Sequence, residues 1–378
     1  MVWNELTSHL GVIWGALAAL AVVVALTPAV GGMARLIGAV DRPEGGRRPS
    51  PGGIPRLGGL ALFFGVFVPA LAFLPLHREM RGILLGAAVA TTVGAIDDFR
   101  GLRWWEKLSG QVLAASIPVY FGVWVHSFTF PVVGVHALPV ALGATLTVVG
   151  IVALMNMVNF LDGLDGLAAG VCAISAFSFC LIDLSLSRPD AAVLTAIVFG
   201  ACIGFLRHNF YPARIFMGDS GALLLGFTLA SVSVEGMLKT AALATLVLPL
   251  LVLAVPLLDT SFVVAKRLKQ RQPVYQADRQ HLHHRFEDIL GFSHRRSVIY
   301  LYGWCASLAL AALATHFVSP HRHGHWNLTH LALDIAVAIL AVGASVYVVY
   351  LLEIVKLANP FIRRREEQAR VEAQRKSA

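Results

Sequence analysis

Long apolar runs recur along the whole chain and constrain its fold more than any other feature. Most are about 17–25 residues long, the length that an α-helix needs to cross the hydrocarbon core of a bilayer. We predict eleven membrane-spanning helices, near residues 11–32, 57–76, 82–96, 108–125, 138–158, 163–187, 190–206, 219–237, 240–262, 297–316 and 330–352. The sequence therefore predicts an all-α integral membrane protein, with one multispanning domain over residues 1–355 and a charged tail over residues 356–378.

The composition supports a membrane protein. Of the 378 residues, 57% are hydrophobic and 14% are charged, whereas a soluble domain is about 45–50% apolar and about 25% charged. The net charge of +8 is explained by cations on one membrane face beside anionic lipid, and we expect no nucleic-acid partner. The cysteines lie within the predicted spans without metal-ligand or disulfide spacing and are interpreted as small apolar residues. They are Cys172, Cys180, Cys202 and Cys305.

The distribution of Lys and Arg predicts the orientation of the spans. Cytoplasmic loops of membrane proteins are enriched in these residues. One set of alternate loops carries 25 of the 30 Lys and Arg residues, and the other set carries 5. This asymmetry places the N-terminus outside and the C-terminus in the cytoplasm.

Four polar motifs fall at the predicted cytoplasmic ends of the spans. They are "GAIDDFRG" with Asp97 and Asp98, "NFLDGLDG" with Asn159, Asp162 and Asp165, "RHNFYPARIFMGDSG" with Asn209 and Asp219, and "ADRQHLHHRF" with His281, His283, His284 and Arg285. Because all four share one membrane face, we expect them to form a cleft at the cytoplasmic surface.

Five aspartates of the first three motifs would repel one another unless a cation compensated their charge. They are Asp97, Asp98, Asp162, Asp165 and Asp219. Oxygen donors in small number suit Mg²⁺, with Mn²⁺ able to substitute, when phosphates complete the coordination shell. Asn159, Asp162 and Asp165 are spaced i, i+3, so we expect them to line one stripe at the start of the sixth span. The glycines at 163 and 166 would leave that stripe accessible to a ligand.

Basic residues accompany the acids and favour a phosphate ligand. They are Arg42, Arg47, Arg48, Arg56, Lys107, Arg279 and Arg285. Guanidinium and ammonium groups beside a metal ion can hold a pyrophosphate, and phosphoryl transfer depends mainly on positioning and charge neutralisation. The alternative is an ion-coupled transporter, which predicts acids at mid-membrane and an internal repeat. Here the acids lie at the ends of the spans, and no repeat is evident.

The motifs resemble those of the polyprenyl-phosphate N-acetylhexosamine-1-phosphate transferases. The resemblance runs from about Asp41 to about Tyr302 through "IDDFRGLRWWEKLSGQ", "NMVNFLDGLDGLAAG", "HNFYPARIFMGDSGALLLGF" and "HLHHRFEDILGFSHRR". It implies a fold of ten or eleven helices in the bacterial inner membrane, with the active site on the cytoplasmic face. It also implies Mg²⁺-dependent transfer of a sugar-1-phosphate from a UDP-N-acetylhexosamine to undecaprenyl phosphate, with release of UMP. A homodimer is compatible with it.

The same resemblance implies roles for individual residues. Asp219 would be the Mg²⁺ ligand, and Asp97 and Asp98 would be an acidic pair near the metal and the polyprenyl phosphate. Asp162 and Asn159 would lie in the catalytic cleft, with Asp165 nearer the nucleotide. Further contacts to nucleotide, sugar or phosphates would come from Arg56, Lys107, Asn209, His281, His283, His284 and Arg285.

Two sequence details favour the N-acetylglucosamine branch, which initiates teichoic-acid or O-antigen synthesis: "GGIPRLGG" and the spacer within "HLHH". The phospho-N-acetylmuramoyl-pentapeptide transferases are the alternative. They commonly carry a His before "IPRLGG", where this chain has "RRPSPGG". For the reaction we expect direct in-line attack of the lipid phosphate, and a covalent route through an aspartate is the competing mechanism.

Two structural predictions lie outside the polar motifs. "SFTFPVVGVHA", between the fourth and fifth spans, alternates enough to predict a short outer β-hairpin. Pro249 and Pro256 predict a kink in the ninth span that would open a lateral groove for a polyprenyl chain.

Overall fold

The computed structural model describes residues 10–41, 53–130, 134–238 and 293–317, the strand residues 321–322 and 325–326, and scattered helical positions between 336 and 347. The α-helices are α1 Leu10–Leu36, α2 Gly58–Phe73, α3 Arg78–Arg100, α4 Trp104–Tyr120, α5 Val140–Leu161, α6 Leu167–Ser185, α7 Pro189–Asn209, α8 Gly218–Val232 and α9 His294–Phe317. The strands are β1 Val40–Asp41, β2 Ile54–Pro55, β3 Ser127–Phe130, β4 Gly134–Ala137, β5 His321–Arg322 and β6 His325–Trp326.

Six of the described helices are long and apolar enough to cross a bilayer, namely α1, α3, α5, α6, α7 and α9. Helices α2 and α4 are shorter, at 16 and 17 residues. The prediction of a mostly helical, multi-pass membrane protein is therefore confirmed. The count of eleven and the orientation stay predictions. The predicted span at 240–262, with Pro249 and Pro256, and most of the span at 330–352 lie outside the described residues.

The boundaries of the third and sixth predicted spans were wrong. The run at 82–96 is the centre of the 23-residue helix α3, which includes Arg78 at one end and Asp97, Asp98 and Arg100 at the other. The sixth span begins at Leu167 instead of residue 163. The predicted span at 219–237 agrees with α8 and the π-helix Ser233–Leu238 that continues it. Hydropathy marks the apolar centre of a helix, whereas polar residues extend the hydrogen-bonded backbone beyond that centre.

Short strand pairs connect some of the helices. Strands β3 and β4 form the predicted hairpin, with Ser127 opposite Ala137 and Phe130 opposite Gly134. Strands β1 and β2 pair antiparallel just before α2. The backbone N–H of Phe216 donates to the Pro55 carbonyl at 2.7 Å. This bond ties the β1–β2 pair to the loop that precedes α8.

Two glycines bring α2 and α3 against the first turn of α8. A Cβ at Gly59 would lie 2.1 Å from the backbone N of Gly221, and a Cβ at Gly94 would lie 2.5 Å from the Asp219 carbonyl O. No side chain larger than hydrogen fits at either position without moving the backbone. The start of α8, which carries Asp219, is therefore held between two neighbouring helices.

The three polar motifs that the structure describes meet at one end of the helix bundle. The last turns of α3, α5 and α7 and the first turns of α4, α6, α8 and α9 are joined there by hydrogen bonds between their side chains and backbones. The sequence predicted this common end from the alternation of charged and uncharged loops, and the described contacts agree with it.

Candidate active site at the polar end of the bundle

Lys107, at the start of α4, lies between two carboxylates. Its Nζ is 2.9 Å from Asp97 Oδ2 and also contacts Asp219 Oδ2 directly. Asp97 Oδ1 accepts a hydrogen bond from the backbone N–H of Leu102 at 2.6 Å. The three charged side chains are 14–20% exposed, so they are poorly screened by water, and the ammonium compensates acids from two different helices.

Asn159, in the last turn of α5, completes this charged group. With the amide oriented so that its oxygen faces the ammonium, Asn159 accepts from Lys107 Nζ at 2.7 Å and donates to Asp219 Oδ1 at 3.2 Å. An ammonium carries three N–H donors. All three then have acceptors, from Asp97, Asp219 and Asn159, which fixes the position of Lys107.

A pair of amides lies one turn deeper, between α4 and α5. Gln111 Nε2 donates to Asn156 Oδ1 at 3.1 Å, and Asn156 Nδ2 donates back to Gln111 Oε1 at 2.8 Å. Gln111 is one turn from Lys107, and Asn156 is one turn from Asn159. The pair sets the register of these two helices and was missed by the sequence analysis, although Asn156 stands in a quoted motif.

Asp98 points toward the N-terminus of α8. Its Oδ1 accepts from the backbone N–H of Asp219 at 2.8 Å, and its Oδ2 accepts from the backbone N–H of Ser220 at 3.0 Å and from Ser220 Oγ at 2.8 Å. A carboxylate at a helix N-terminus satisfies N–H groups that have no partner within the helix. Asp98 thus holds the backbone that carries Asp219, and its predicted catalytic role stays a prediction.

Gly218, the first residue of α8, allows this close approach. Its φ is +71°, a left-handed conformation that favours glycine, and a Cβ there would lie 2.6 Å from Asp98 Oδ2. Ser220 was not among the predicted site residues. Its position one residue after Asp219 in "MGDSG" is the signal that the sequence analysis did not use.

The expected helical stripe of Asn159, Asp162 and Asp165 is wrong. Helix α5 ends at Leu161 with Asp162 at its C-cap, and residues 162–166 form a turn before α6 begins at Leu167. Each aspartate of the turn precedes a glycine, and Asp-Gly pairs favour turns over helix. Gly166 has a left-handed φ of +82°. The acids therefore project from a turn.

Asp165 and Asn209 attach this turn to the chain segment before α8. Asp165 Oδ2 accepts from the backbone N–H of Ala213 at 3.0 Å. Asn209 Oδ1 accepts from the backbone N–H of Gly166 at 3.0 Å, and its Nδ2 donates to the Ile215 carbonyl at 2.9 Å. Asn209 is 2% exposed, with both ends of its amide bonded to backbone, so its predicted contact with substrate stays a prediction.

Burial and the charges of Asp219, Asp98 and Arg56 act on the carboxyl of Asp162. Burial raises the pKa of its carboxyl well above the usual range, and the carboxylates of Asp219 and Asp98 add to the increase. The backbone of Gly218 and the Arg56 guanidinium act in the opposite direction. Arg56 lies 3.5 Å from Asp41 in a half-exposed ion pair. A cation bound between these carboxylates would favour the ionised form of Asp162.

Phosphates would have to complete the coordination shell of a metal ion bound at Asp219, the predicted metal ligand. Among the residues that the structure describes, no three His, Cys, Asp or Glu side chains are arranged to hold a metal ion by themselves. The oxygens of Asp219, Asp162 and Asn159 are hard donors that suit Mg²⁺. Mg²⁺ is commonly bound by one or two carboxylates with substrate phosphates and water. The donor set therefore fits Mg²⁺ together with a phosphate ligand.

Four predicted site residues, His281, His283, His284 and Arg285, lie outside the described residues. Helix α9 contributes two side chains that the sequence analysis did not assign. His294 accepts from the backbone N–H of Asp165 at 3.0 Å, and Tyr302 donates to the Gly166 carbonyl at 2.6 Å. His294 stands in the quoted motif "HLHHRFEDILGFSHRR", but the sequence analysis assigned a role only to the three histidines at the start of that motif.

Comparison with known proteins relates this site to a family. The family model described as "Glycosyl transferase family 4" matches residues 80–237. The probable undecaprenyl-phosphate N-acetylglucosaminyl 1-phosphate transferase of Bacillus subtilis (strain 168) is 35% identical over 294 residues, which are 77% of this chain and 82% of that protein. The decaprenyl-phosphate N-acetylglucosaminephosphotransferase of Mycobacterium leprae is 35% identical over 300 residues, covering 71% of this chain and 75% of its own length.

The alternative branch is also represented. The phospho-N-acetylmuramoyl-pentapeptide-transferase of Desulforudis audaxviator is 35% identical over 290 residues, which are 69% of this chain and 83% of that protein. The chain belongs to glycosyl transferase family 4, and the resemblance inferred from its four motifs is confirmed.

Proposed function

We propose that this protein transfers N-acetylglucosamine-1-phosphate from UDP-N-acetylglucosamine to undecaprenyl phosphate, releasing UMP and forming a lipid-linked pyrophosphoryl sugar. The observation that carries the proposal is the meeting of Lys107, Asp97 and Asp219 at one end of an apolar helix bundle. Relatives that match most of this chain are named for N-acetylglucosamine-1-phosphate transfer to undecaprenyl or decaprenyl phosphate. The product would start the synthesis of a cell-envelope polysaccharide.

The charged side chains suit a reaction between two phosphates. Both substrates are anionic, so they repel each other unless the site supplies positive charge. Lys107 is held by three acceptors but lies partly exposed. A phosphate oxygen arriving beside Asp219 would replace one of the three acceptors of the Lys107 ammonium. Arg56, whose field reaches Asp162 and Asp98, would add a second cation.

Mg²⁺, or Mn²⁺ in its place, would be held by Asp219 with Asp162 and Asn159 beside it. The bound ion would neutralise charge on the pyrophosphate and on the departing UMP. Asp98 would keep Asp219 in place through its bonds to the first turn of α8.

In the proposed step, an oxygen of the lipid phosphate attacks the sugar-linked phosphorus of UDP-N-acetylglucosamine in line with the bridging oxygen. A new P–O bond forms, the bond from that phosphorus to the bridging oxygen breaks, and its electron pair leaves with UMP. The second pKa of a phosphate monoester is about 6, so the acceptor is mostly a dianion at neutral pH. No base is then required, and a covalent aspartyl intermediate remains the competing route.

The arrangement in the membrane belongs to the same proposal. We place the protein in the bacterial inner membrane with eleven spans, the N-terminus outside, and the site and C-terminus at the cytoplasmic face. The loops predicted to be cytoplasmic hold 25 of the 30 Lys and Arg residues. This face also offers nucleotide sugars as substrates.

The test is UMP release by the purified full-length protein in detergent with undecaprenyl phosphate, MgCl₂ and a panel of UDP-sugars. We expect release with UDP-N-acetylglucosamine and its loss on chelation of the metal. Release only with UDP-N-acetylmuramoyl-pentapeptide would assign the chain to the other branch, which the Desulforudis relative represents. Absence of UMP with every donor, from protein that is folded and monodisperse, would overturn the proposal.

A further inference from the structure

We propose that helix α9 positions part of the site: its residues His294 and Tyr302 hold the turn at residues 162–166 in place. Neither residue needs to touch a substrate. Both bond to the Asp165–Gly166 end of the turn, whereas Asp162 caps the end of α5. The inference rests on the proposed function for its kinetic consequences. The helix lies outside the residues 80–237 that the family model matches.

His294 is the first residue of α9 and bonds to the middle of the turn. Its Nε2 is 3.0 Å from the backbone N of Asp165 and 4.0 Å from Asp165 Oδ1. The backbone amide is the closer partner and is a donor, so Nε2 must be the unprotonated nitrogen and Nδ1 carries the ring proton. The imidazole therefore satisfies an amide that the turn itself leaves without a partner.

Tyr302 bonds to the next residue of the turn from the same face of α9. It is eight residues after His294, which is close to two helical turns. Its hydroxyl donates to the Gly166 carbonyl at 2.6 Å. A Cβ at Gly170 would lie 2.1 Å from the Tyr302 ring, so the ring is packed directly on α6. The tyrosine has little freedom to follow a displaced turn.

An apolar contact surface holds α9 in this position. Residues of α9 and residues around the turn share one buried hydrophobic cluster. Its members include Leu161, Leu164, Leu167, Val171, Val298, Leu301, Trp304 and Cys305. The cluster spans both sides of the turn and continues along α6. The helix is therefore docked by burial of apolar surface, and the two polar side chains are presented to the turn from a fixed support.

The same end of α9 also contacts the segment that leads to Asp219. The rings of His294 and Tyr211 are stacked with their centroids 4.9 Å apart. Arg295 lies over the Phe210 ring, 5.8 Å from its centroid. The backbone N–H of Ala213 donates to Asp165 within that segment. The start of α9 thus links the turn to the chain that runs into α8.

These contacts predict a specific kinetic effect. We expect Asp165 to lie near the nucleotide. If the turn shifts, the side chain of Asp165 moves more than those of Lys107 and Asp219, because other helices hold these two residues. We expect His294→Ala to raise the KM for the UDP-sugar about tenfold. The kcat and the KM for undecaprenyl phosphate would stay within about threefold of the wild-type values. Tyr302→Phe, which removes one hydroxyl, would raise the same KM about threefold.

Matched variants separate positioning from general damage. His294→Gln provides a carbonyl oxygen that can accept the Asp165 N–H, so we expect it to recover most of the nucleotide KM. Arg296→Ala, an exposed position on the same turn of α9, should leave all three parameters unchanged. An unchanged nucleotide KM in His294→Ala would overturn the proposal. So would an equal loss of kcat in the alanine and glutamine variants.

Hydrogen exchange tests the inference without any turnover. In the detergent-solubilised full-length protein, the amides of residues 162–167 should exchange at least about tenfold faster in His294→Ala than in wild type, and Arg296→Ala should match wild type. Unchanged exchange at this turn would overturn the proposed role of α9, whatever the activity. Faster exchange in a protein that releases no UMP would instead retain the positioning role and remove the proposed function.

Discussion

The site consists of two regions that are built in different ways. In the charged region, Lys107, Asp97, Asn159 and Asp219 bond to one another through their side chains. In the turn region, side chains bond to backbone. Asn209, His294 and Tyr302 bond to the backbone of residues 165–166, and the Asp165 carboxylate accepts from the backbone N–H of Ala213. Side-chain partners can be exchanged when a phosphate arrives, whereas backbone bonds fix a shape in advance. The first region is suited to changing charge, and the second to recognition.

The largest effect is expected in the charged region from Asp219→Asn. The substitution keeps the shape of the side chain and removes the charge that would hold the metal, so we expect UMP release at saturating substrates to fall about 10³-fold. Asp190→Asn is the control, since Asp190 lies at the opposite end of α7 in a weak pair with His77 at 3.9 Å. Retention of more than a tenth of the activity in Asp219→Asn would remove Asp219 from the metal site.

Lys107→Met sharpens the distinction by removing the shared cation. We expect activity to fall about 10²-fold, because Asp97 and Asp219 lose their compensating charge. In thermal unfolding, MgCl₂ should raise the apparent Tm of Lys107→Met by about 2 °C more than that of wild type, since the ammonium no longer competes for Asp219. Equal shifts in the two proteins would mean that Lys107 and the metal do not share this carboxylate.

Asp98→Asn tests an aspartate outside both regions. Asp98 supports the charged region by bonding to the first turn of α8. One of its oxygens becomes an NH₂ group facing the donors of Asp219 or Ser220, so the first turn of α8 should loosen and UMP release should fall about 10- to 100-fold. Ser220→Ala removes one of the three bonds and should reduce activity about threefold. Activity below about 10⁻⁴ in folded Asp98→Asn, with Ser220→Ala unaffected, would instead indicate a base or a nucleophile.

The smallest effect is expected one turn below the charged region. Gln111→Leu leaves the Asn156 amide without its side-chain partner, so the apparent Tm should fall by about 3 °C. The double variant Gln111→Leu, Asn156→Leu removes both polar groups and should recover most of that loss, with activity within about threefold of wild type. If the double variant lost more in Tm than the two single variants lose together, the amides would do more than align α4 and α5.

The sequence was a good guide to which residues gather, and a poor guide to what each one contacts. The positions of Asp97, Lys107, Asn159 and Asp219 at one end of the spans followed from hydropathy and charge. Their pairing did not follow, because Lys107 and Asp219 are 112 residues apart and only packing brings them together. Asp97 and Asp98 are adjacent, yet they point about 100° apart around α3 and meet different helices.

The turn region was less predictable for a local reason. The i, i+3 spacing of Asn159, Asp162 and Asp165 is compatible with a helix, and the long apolar flanks favoured that interpretation. The two Asp-Gly pairs favour a turn instead, and Gly166 adopts a positive φ, so a single helix cannot run through this segment. The role of α9 was harder still to predict, because a histidine at its start and a tyrosine about two turns later carry no recognisable spacing relative to a turn 129–136 residues earlier.

The glycine contacts between α2, α3 and α8 have a consequence for where the chemistry can take place. Gly59 and Gly94 leave no room for sliding along α8, so the height of Asp219 along the bundle axis is set by backbone contact. An acceptor anchored by its hydrocarbon chain presents its phosphate at a height fixed by the bilayer. Reaction then requires the height of Asp219, set by helix packing, and the height of the lipid phosphate, set by the bilayer, to agree within about the length of a bond. Bilayer thickness should accordingly tune the turnover of this protein without altering its affinity for the water-soluble donor.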